Sequence, residues 1–189
     1  MRHDSFTGTI PNGANGKLHV FSVYTDFGAY KHIKWTVSTI AKLTCHRCQS
    51  SSEIWKLDSL TANESMHRML ANDGANADVL IVAVNSLEYR TPELIQWLDS
   101  LTPLPPYRTG LMIGLLGDEE NKSEELDWMA RQLIRCAHKT NRKFIWHWTG
   151  LHNLDDSDWL VKGVETLFTR QPYIPEEVIW QEALTASAS

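Results

Sequence analysis

Val79-Leu80-Ile81-Val82-Ala83-Val84 is an unbroken apolar run, mostly β-branched, entered through Asp78 and left through Asn85-Ser86. A half-buried strand alternates apolar and polar residues, whereas a strand with no alternation is covered on both faces. The run therefore demands a parallel sheet with helices above and below it, and those helices must come from the rest of the chain.

Other segments supply them. Strands are predicted at Leu18–Tyr24, Glu53–Leu57, Leu111–Leu116 and Lys143–Trp148. Between them the helical period predicts Phe27–Leu43, where Tyr30, Ile33, Val37, Ile40, Ala41 and Thr44 share a face. A second helix is expected over Thr61–Ala71, ended by Asp73-Gly74, and a third from Thr91-Pro92 to Leu101, with Pro103, Pro105 and Pro106 closing it. Ser123-Glu124-Glu125-Leu126 opens the cleanest helix, with Leu126, Met129, Ala130, Leu133, Ile134 and Ala137 as its stripe. A last full helix runs from Asp156 or Ser157 to Phe168.

Alternation of β and α five times gives an α/β fold: a doubly wound, five-stranded parallel sheet with right-handed crossovers and helices on both faces. The expected strand order is the flavodoxin-like 2-1-3-4-5, whose ligand crevice lies at the carboxyl ends of the first and third strands. Residues 1–16, rich in turn residues, read as an N-terminal arm, 17–170 as the domain, and 171–189 as a C-terminal extension with a short helix over Pro175–Ala183.

Composition narrows the function classes. A net charge of −5 over 189 residues argues against a dedicated nucleic-acid binder, which needs basic excess for phosphates. The longest apolar run is far below the roughly 20 residues that cross a bilayer, so no membrane partner is expected. The amino-terminal residues carry no apolar stretch of signal-peptide length, and three cysteines do not make a disulfide framework, so a cytoplasmic location is expected.

Tyr24-Thr25-Asp26-Phe27, Trp55-Lys56-Leu57-Asp58-Ser59-Leu60, Ala77-Asp78 and Pro92-Glu93 with Trp97-Leu98 resemble a family of uncharacterised bacterial α/β proteins similar to response-regulator receiver domains. The resemblance spans about residues 18–148 and implies a fold but no activity. A working receiver needs a phosphorylatable Asp after the third strand and a Lys after the fifth. Here Asn85-Ser86 and Thr149-Gly150 stand there, and Gly117-Asp118 follows the fourth strand, so a receiver-like chain of this sequence cannot run phosphorylation chemistry.

No catalytic motif is complete. Cys45-His46-Arg47-Cys48 has C-x-x-C spacing but falls at the carboxyl end of a helix, the wrong pole for lowering a thiol pKa. Cys136 with His138 belongs to a helix on the opposite face, so no metal site is expected. Gly114 to Ser123 lacks the glycines of a phosphate loop, and neither G-x-G-x-x-G nor G-x-S-x-G occurs in a usable place. His147 reads as a packed strand histidine, with acids near His152 capping the following helix.

Two residue sets remain. Thr25, Asp26, Asn85, Ser86 and Asp118 are placed by topology at the crevice, where Asp26 either caps a helix or meets a ligand. Lys31, Lys34, Lys42 and Arg47 stand without an acid between Asp26 and Glu53, and Trp35 is expected to face solvent among them; Trp128 is a second exposed candidate. The leading expectation is a non-catalytic, receiver-like signalling or interaction module, a homodimer using Lys31, Trp35, Lys42 and Trp128, with no cofactor. The alternative is a sensor or enzyme that binds a nucleotide, flavin such as FMN, or phosphate in the crevice.

Overall fold

The computed structural model describes residues 16–60, 62–85, 91–117, 124–149 and 157–168. The expected arm and C-terminal helix lie outside these residues, as do Ser86 and Asp118. In chain order the elements are β1 (Lys17–Tyr24), α1 (Phe27–Thr44), β2 (Gln49–Lys56), α2 (Leu57–Leu60), α3 (Glu64–Asn76), β3 (Val79–Val84), α4 (Thr91–Ser100), β4 (Gly110–Leu116), α5 (Glu124–Lys139), β5 (Arg142–Trp148) and α6 (Asp158–Glu165).

The five strands form one parallel sheet in the order β2-β1-β3-β4-β5. The expected strand order is the observed one. Every residue of β3 and of β4 is buried, which is what the unalternating Val79–Val84 run requires. Two apolar cores result. Phe21, Leu80, Val82 and Met112 pack with α3, α4 and α5 on one face, where Trp97 stacks on Phe21 at 6.0 Å. Val20, Ile81, Ile113 and Leu115 pack with α1 and α6 on the other. The faces of α1 and α5 are therefore opposite, as the C-x-x-C argument assumed.

Two boundaries differ from the expectation. β2 begins at Gln49, four residues before the predicted Glu53, because the exposed serines 50–52 carry no apolar signal. As an edge strand it needs only one partner, and its register with β1 starts at Lys17↔Gln49. The second predicted helix, Thr61–Ala71, is α3, which runs later, from Glu64 to Asn76, and the short α2 ahead of it was not expected. Asn63 caps α3 by accepting the Met66 N–H at 2.8 Å, and Asp73-Gly74 lies inside the helix instead of ending it. Gly74 is there for space: a Cβ would stand 3.0 Å from Trp97 Cζ2 and 3.3 Å from Leu101 Cδ2.

The amino ends of the strands are locked by buried charge. Asp78 is 1% exposed, accepts the His19 N–H at 2.8 Å and pairs with Arg108 Nη2 at 2.8 Å. Arg142, 4% exposed, donates through Nη2 to the carbonyls of Gly74, Ala75 and Ala77 at 3.0, 2.8 and 3.0 Å, capping the last turn of α3.

Candidate functional site

At the opposite, carboxyl end of the sheet, β1 leads outward to β2 while β3 leads the other way to β4. α1, which follows β1, packs on one face and α4, which follows β3, on the other, the switch point at which sheets of this order place a ligand crevice. Thr25 spans it. Its N–H donates to the Ala83 carbonyl at 3.2 Å, its hydroxyl donates to Asp26 Oδ2 at 3.1 Å, and the Asn85 N–H donates to that hydroxyl at 3.4 Å. Thr25, Asp26 and Asn85, three of the sequence-derived candidates, thus meet in one constellation. Asp26 also caps α1, with Oδ1 accepting the Ala29 N–H at 3.0 Å. The capping role and the crevice position belong to the same carboxylate.

The Asn85 carboxamide lies over the first turn of α1, so that a Cβ on Gly28 would stand 3.0 Å from Asn85 Nδ2 and 3.1 Å from Asp26 Oδ1. The polar rim continues across the sheet. The Gly117 N–H donates to the Val84 carbonyl at 2.8 Å, and the Thr149 hydroxyl donates to the carbonyls of Leu116 and Gly117 at 3.3 and 3.0 Å.

An aromatic ladder adjoins the crevice. Phe27, 69% exposed, stacks on Tyr30 at 6.2 Å, and Tyr30 meets Tyr24 at 5.2 Å. Lys31 Nζ lies 4.9 Å above the Phe27 ring and Lys34 Nζ 6.0 Å from that of Tyr30. Sequence reading assigned Tyr30 to the buried stripe and passed over Phe27. The signal was the three-residue spacing of Tyr24, Phe27 and Tyr30, which crosses a strand–helix boundary and so fits neither period.

Farther along the same face, His147 stacks on Trp159 with ring centroids 4.7 Å apart and planes 4° from parallel. This agrees with its reading as a packed strand histidine. His32 on α1 has its pKa lowered, first by burial and then by His147, with Asp26 acting in the opposite direction.

The remaining candidates scatter. Lys31 and Lys42 are exposed, but Trp35 is half-buried against the α1–α6 core, which corrects its expected exposure: a bulky ring beside the apolar stripe folds back onto the core instead of standing free. Trp128 is exposed on α5. Cys45 and Cys48 are free thiols at the carboxyl end of α1, and burial raises the Cys48 pKa. Among the described residues no group of three His, Cys, Asp or Glu could hold a metal ion. No helix among them is long and apolar enough to cross a membrane.

No protein-family model matches the chain, and no curated protein matches it. Solved structures do. An oxidoreductase from Corynebacterium diphtheriae is 10% identical, with a TM-score of 0.56 over 82% of this chain and 99% of that one. An NADH:FMN oxidoreductase, the apo form of EMOB, is 13% identical, with a TM-score of 0.46 over 82% and 92%. The NAD(P)H:quinone oxidoreductase of Methanothermobacter marburgensis is 10% identical, at 0.43 over 80% and 95%. The first likeness establishes a flavodoxin-like fold. It also corrects the expectation of a receiver-like, non-catalytic signalling module: the matching architecture is that of an oxidoreductase.

Sheets of this order take FMN at the β1/β3 switch point, with phosphate favoured at a helix amino end. The residues here fit the two parts of FMN unequally. Phe27 offers an exposed aromatic side chain, and Asn85 and Asp26 offer hydrogen-bonding groups, but the amino end of α1 already holds a carboxylate. The phosphate does not fit there.

Proposed function

We propose that the chain is a small-molecule-binding oxidoreductase that holds a flat ligand of the nucleotide or flavin class over Thr25, Asp26 and Asn85. One observation carries the reading: Thr25 ties the ends of β1 and β3 together, so that an acceptor and a carboxamide converge at the switch point beside an exposed aromatic ring. The fold shared with the oxidoreductase from Corynebacterium diphtheriae supports the reaction class.

In this reading Asp26 accepts a hydrogen bond from the ligand, Asn85 supplies a donor or an acceptor, and Phe27 covers one face of the ring. The redox chemistry is the ligand's own, and the protein's part is to bind and orient it. Thermal unfolding with riboflavin, FMN, adenosine, AMP and NADH tests the proposal. A ligand at a hundredfold excess over its Kd raises stability by about 2.7 kcal/mol. If none of these compounds shifts the transition, the proposal is wrong.

A further inference from the structure

A helix that follows a strand in a doubly wound sheet normally offers its amino end to phosphate, because free N–H groups and the helix dipole both favour an anion. In this chain that end is filled from within. Asp26 Oδ1 takes the Ala29 N–H, and Oδ2 is held by the Thr25 hydroxyl. The Asn85 carboxamide covers the same turn, with Nδ2 3.0 Å from where a Gly28 Cβ would stand. Only Thr25 and Asp26 separate β1 from α1, which leaves no glycine-rich cradle of backbone amides. Lys31 and Lys34 lie over the rings of Phe27 and Tyr30 on the side of α1.

We infer that Asp26 sets the ligand's chemical class by excluding phosphate: the crevice takes a nucleoside-like or unphosphorylated flavin-like molecule in preference to a nucleotide or FMN. A phosphate at this position would face a carboxylate at close range, whereas a ribose or ribityl hydroxyl would donate to it. The chain departs here from the phosphate seat usual in sheets of this order. The inference rests on the crevice being a ligand site at all, as proposed above.

Matched pairs test it: riboflavin against FMN and adenosine against AMP, titrated at equal ionic strength. The neutral member is expected to bind at least about tenfold more tightly. Asp26→Asn keeps a cap of similar strength and removes the charge, so it should bring the ratio towards one. Wild-type protein that binds the phosphorylated member as tightly as the neutral one, or more tightly, overturns the inference, and so does a preference for the neutral member that Asp26→Asn leaves unchanged. Should no member of either pair bind, the proposed function fails and the inference falls with it; binding of both pairs without a preference for the neutral member overturns the inference alone.

Discussion

Replacing Arg142 separates two opposing effects of a buried charge. The guanidinium is 4% exposed, and burial pulls its pKa down to about 10, a penalty of roughly 3 kcal/mol for keeping it charged. Against this stand the carbonyls of Gly74, Ala75 and Ala77, all served by Nη2. The Gly74 carbonyl has a second donor, the Ala77 N–H at 3.4 Å, so two acceptors depend most on the arginine. Orphaning them costs about 1–3 kcal/mol each. Arg142→Met keeps much of the stem's volume, recovers the desolvation penalty and loses the donors, for a net cost of about 1–2 kcal/mol. Arg142→Ala also forfeits the stem packed against Gly110, and its cost rises to about 4 kcal/mol. Urea unfolding followed by tryptophan fluorescence reads both. At a slope near 2.5 kcal/mol per molar, the midpoint falls by about 1.5 M for Ala and about 0.5 M for Met. Equal losses in the two variants, or an Ala loss below about 1 kcal/mol, would refute the balance.

Gly74→Ala should destabilise by about 1–3 kcal/mol although alanine is the better helix former, because Trp97 and Leu101 occupy the space; an unchanged urea midpoint would show that the α3–α4 contact is loose. Gly28→Ala should push Asn85 and Asp26 apart and weaken crevice ligands at least about tenfold, while the thermal transition moves little; unaltered affinity in a titration would place the ligand elsewhere. Burial holds the Cys136 thiol up at about 11, against about 9 in the unfolded chain, so the unfolded state sheds its proton first. Stability should therefore fall between pH 9 and 11 by up to roughly 2–3 kcal/mol, and Cys136→Ala should lose that part of the slope; identical profiles for both proteins would exclude it.

The parts of the fold legible in the sequence are those where burial leaves no choice. Val79–Val84 reads as a strand covered on both sides, the β-α alternation then implies a doubly wound sheet, and 2-1-3-4-5 is expected as the commonest order of that kind with five strands. β2 was half hidden because an edge strand with one partner tolerates exposed serines, which look like a loop. Gly74 misled because glycine ends helices more often than it makes room for a tryptophan, and that tryptophan, Trp97, belongs to the next helix, α4. At the site, topology placed Thr25, Asp26 and Asn85 at one end of the sheet, where hydrogen bonds join them. The aromatic ladder of Tyr24, Phe27 and Tyr30 was missed because its members belong to two elements with different periods. The exposure of Trp35 was misjudged because it lies off the apolar stripe of α1 among basic residues, yet its long side chain reaches sideways to the core.

The strand order carries a consequence for how the chain reaches this state. β1 finds one neighbour, β2, after a single helix, but its other neighbour, β3, is made only after β2, α2 and α3. Until then an apolar strand edge stands uncovered, and a closing step of long sequence separation must precede the tying of Thr25 to Ala83 and Asn85. The contacts of Thr25 with Ala83 and Asn85 therefore form only after that closure, and a nascent chain halted before Val84 has neither those contacts nor a finished sheet on which to build them.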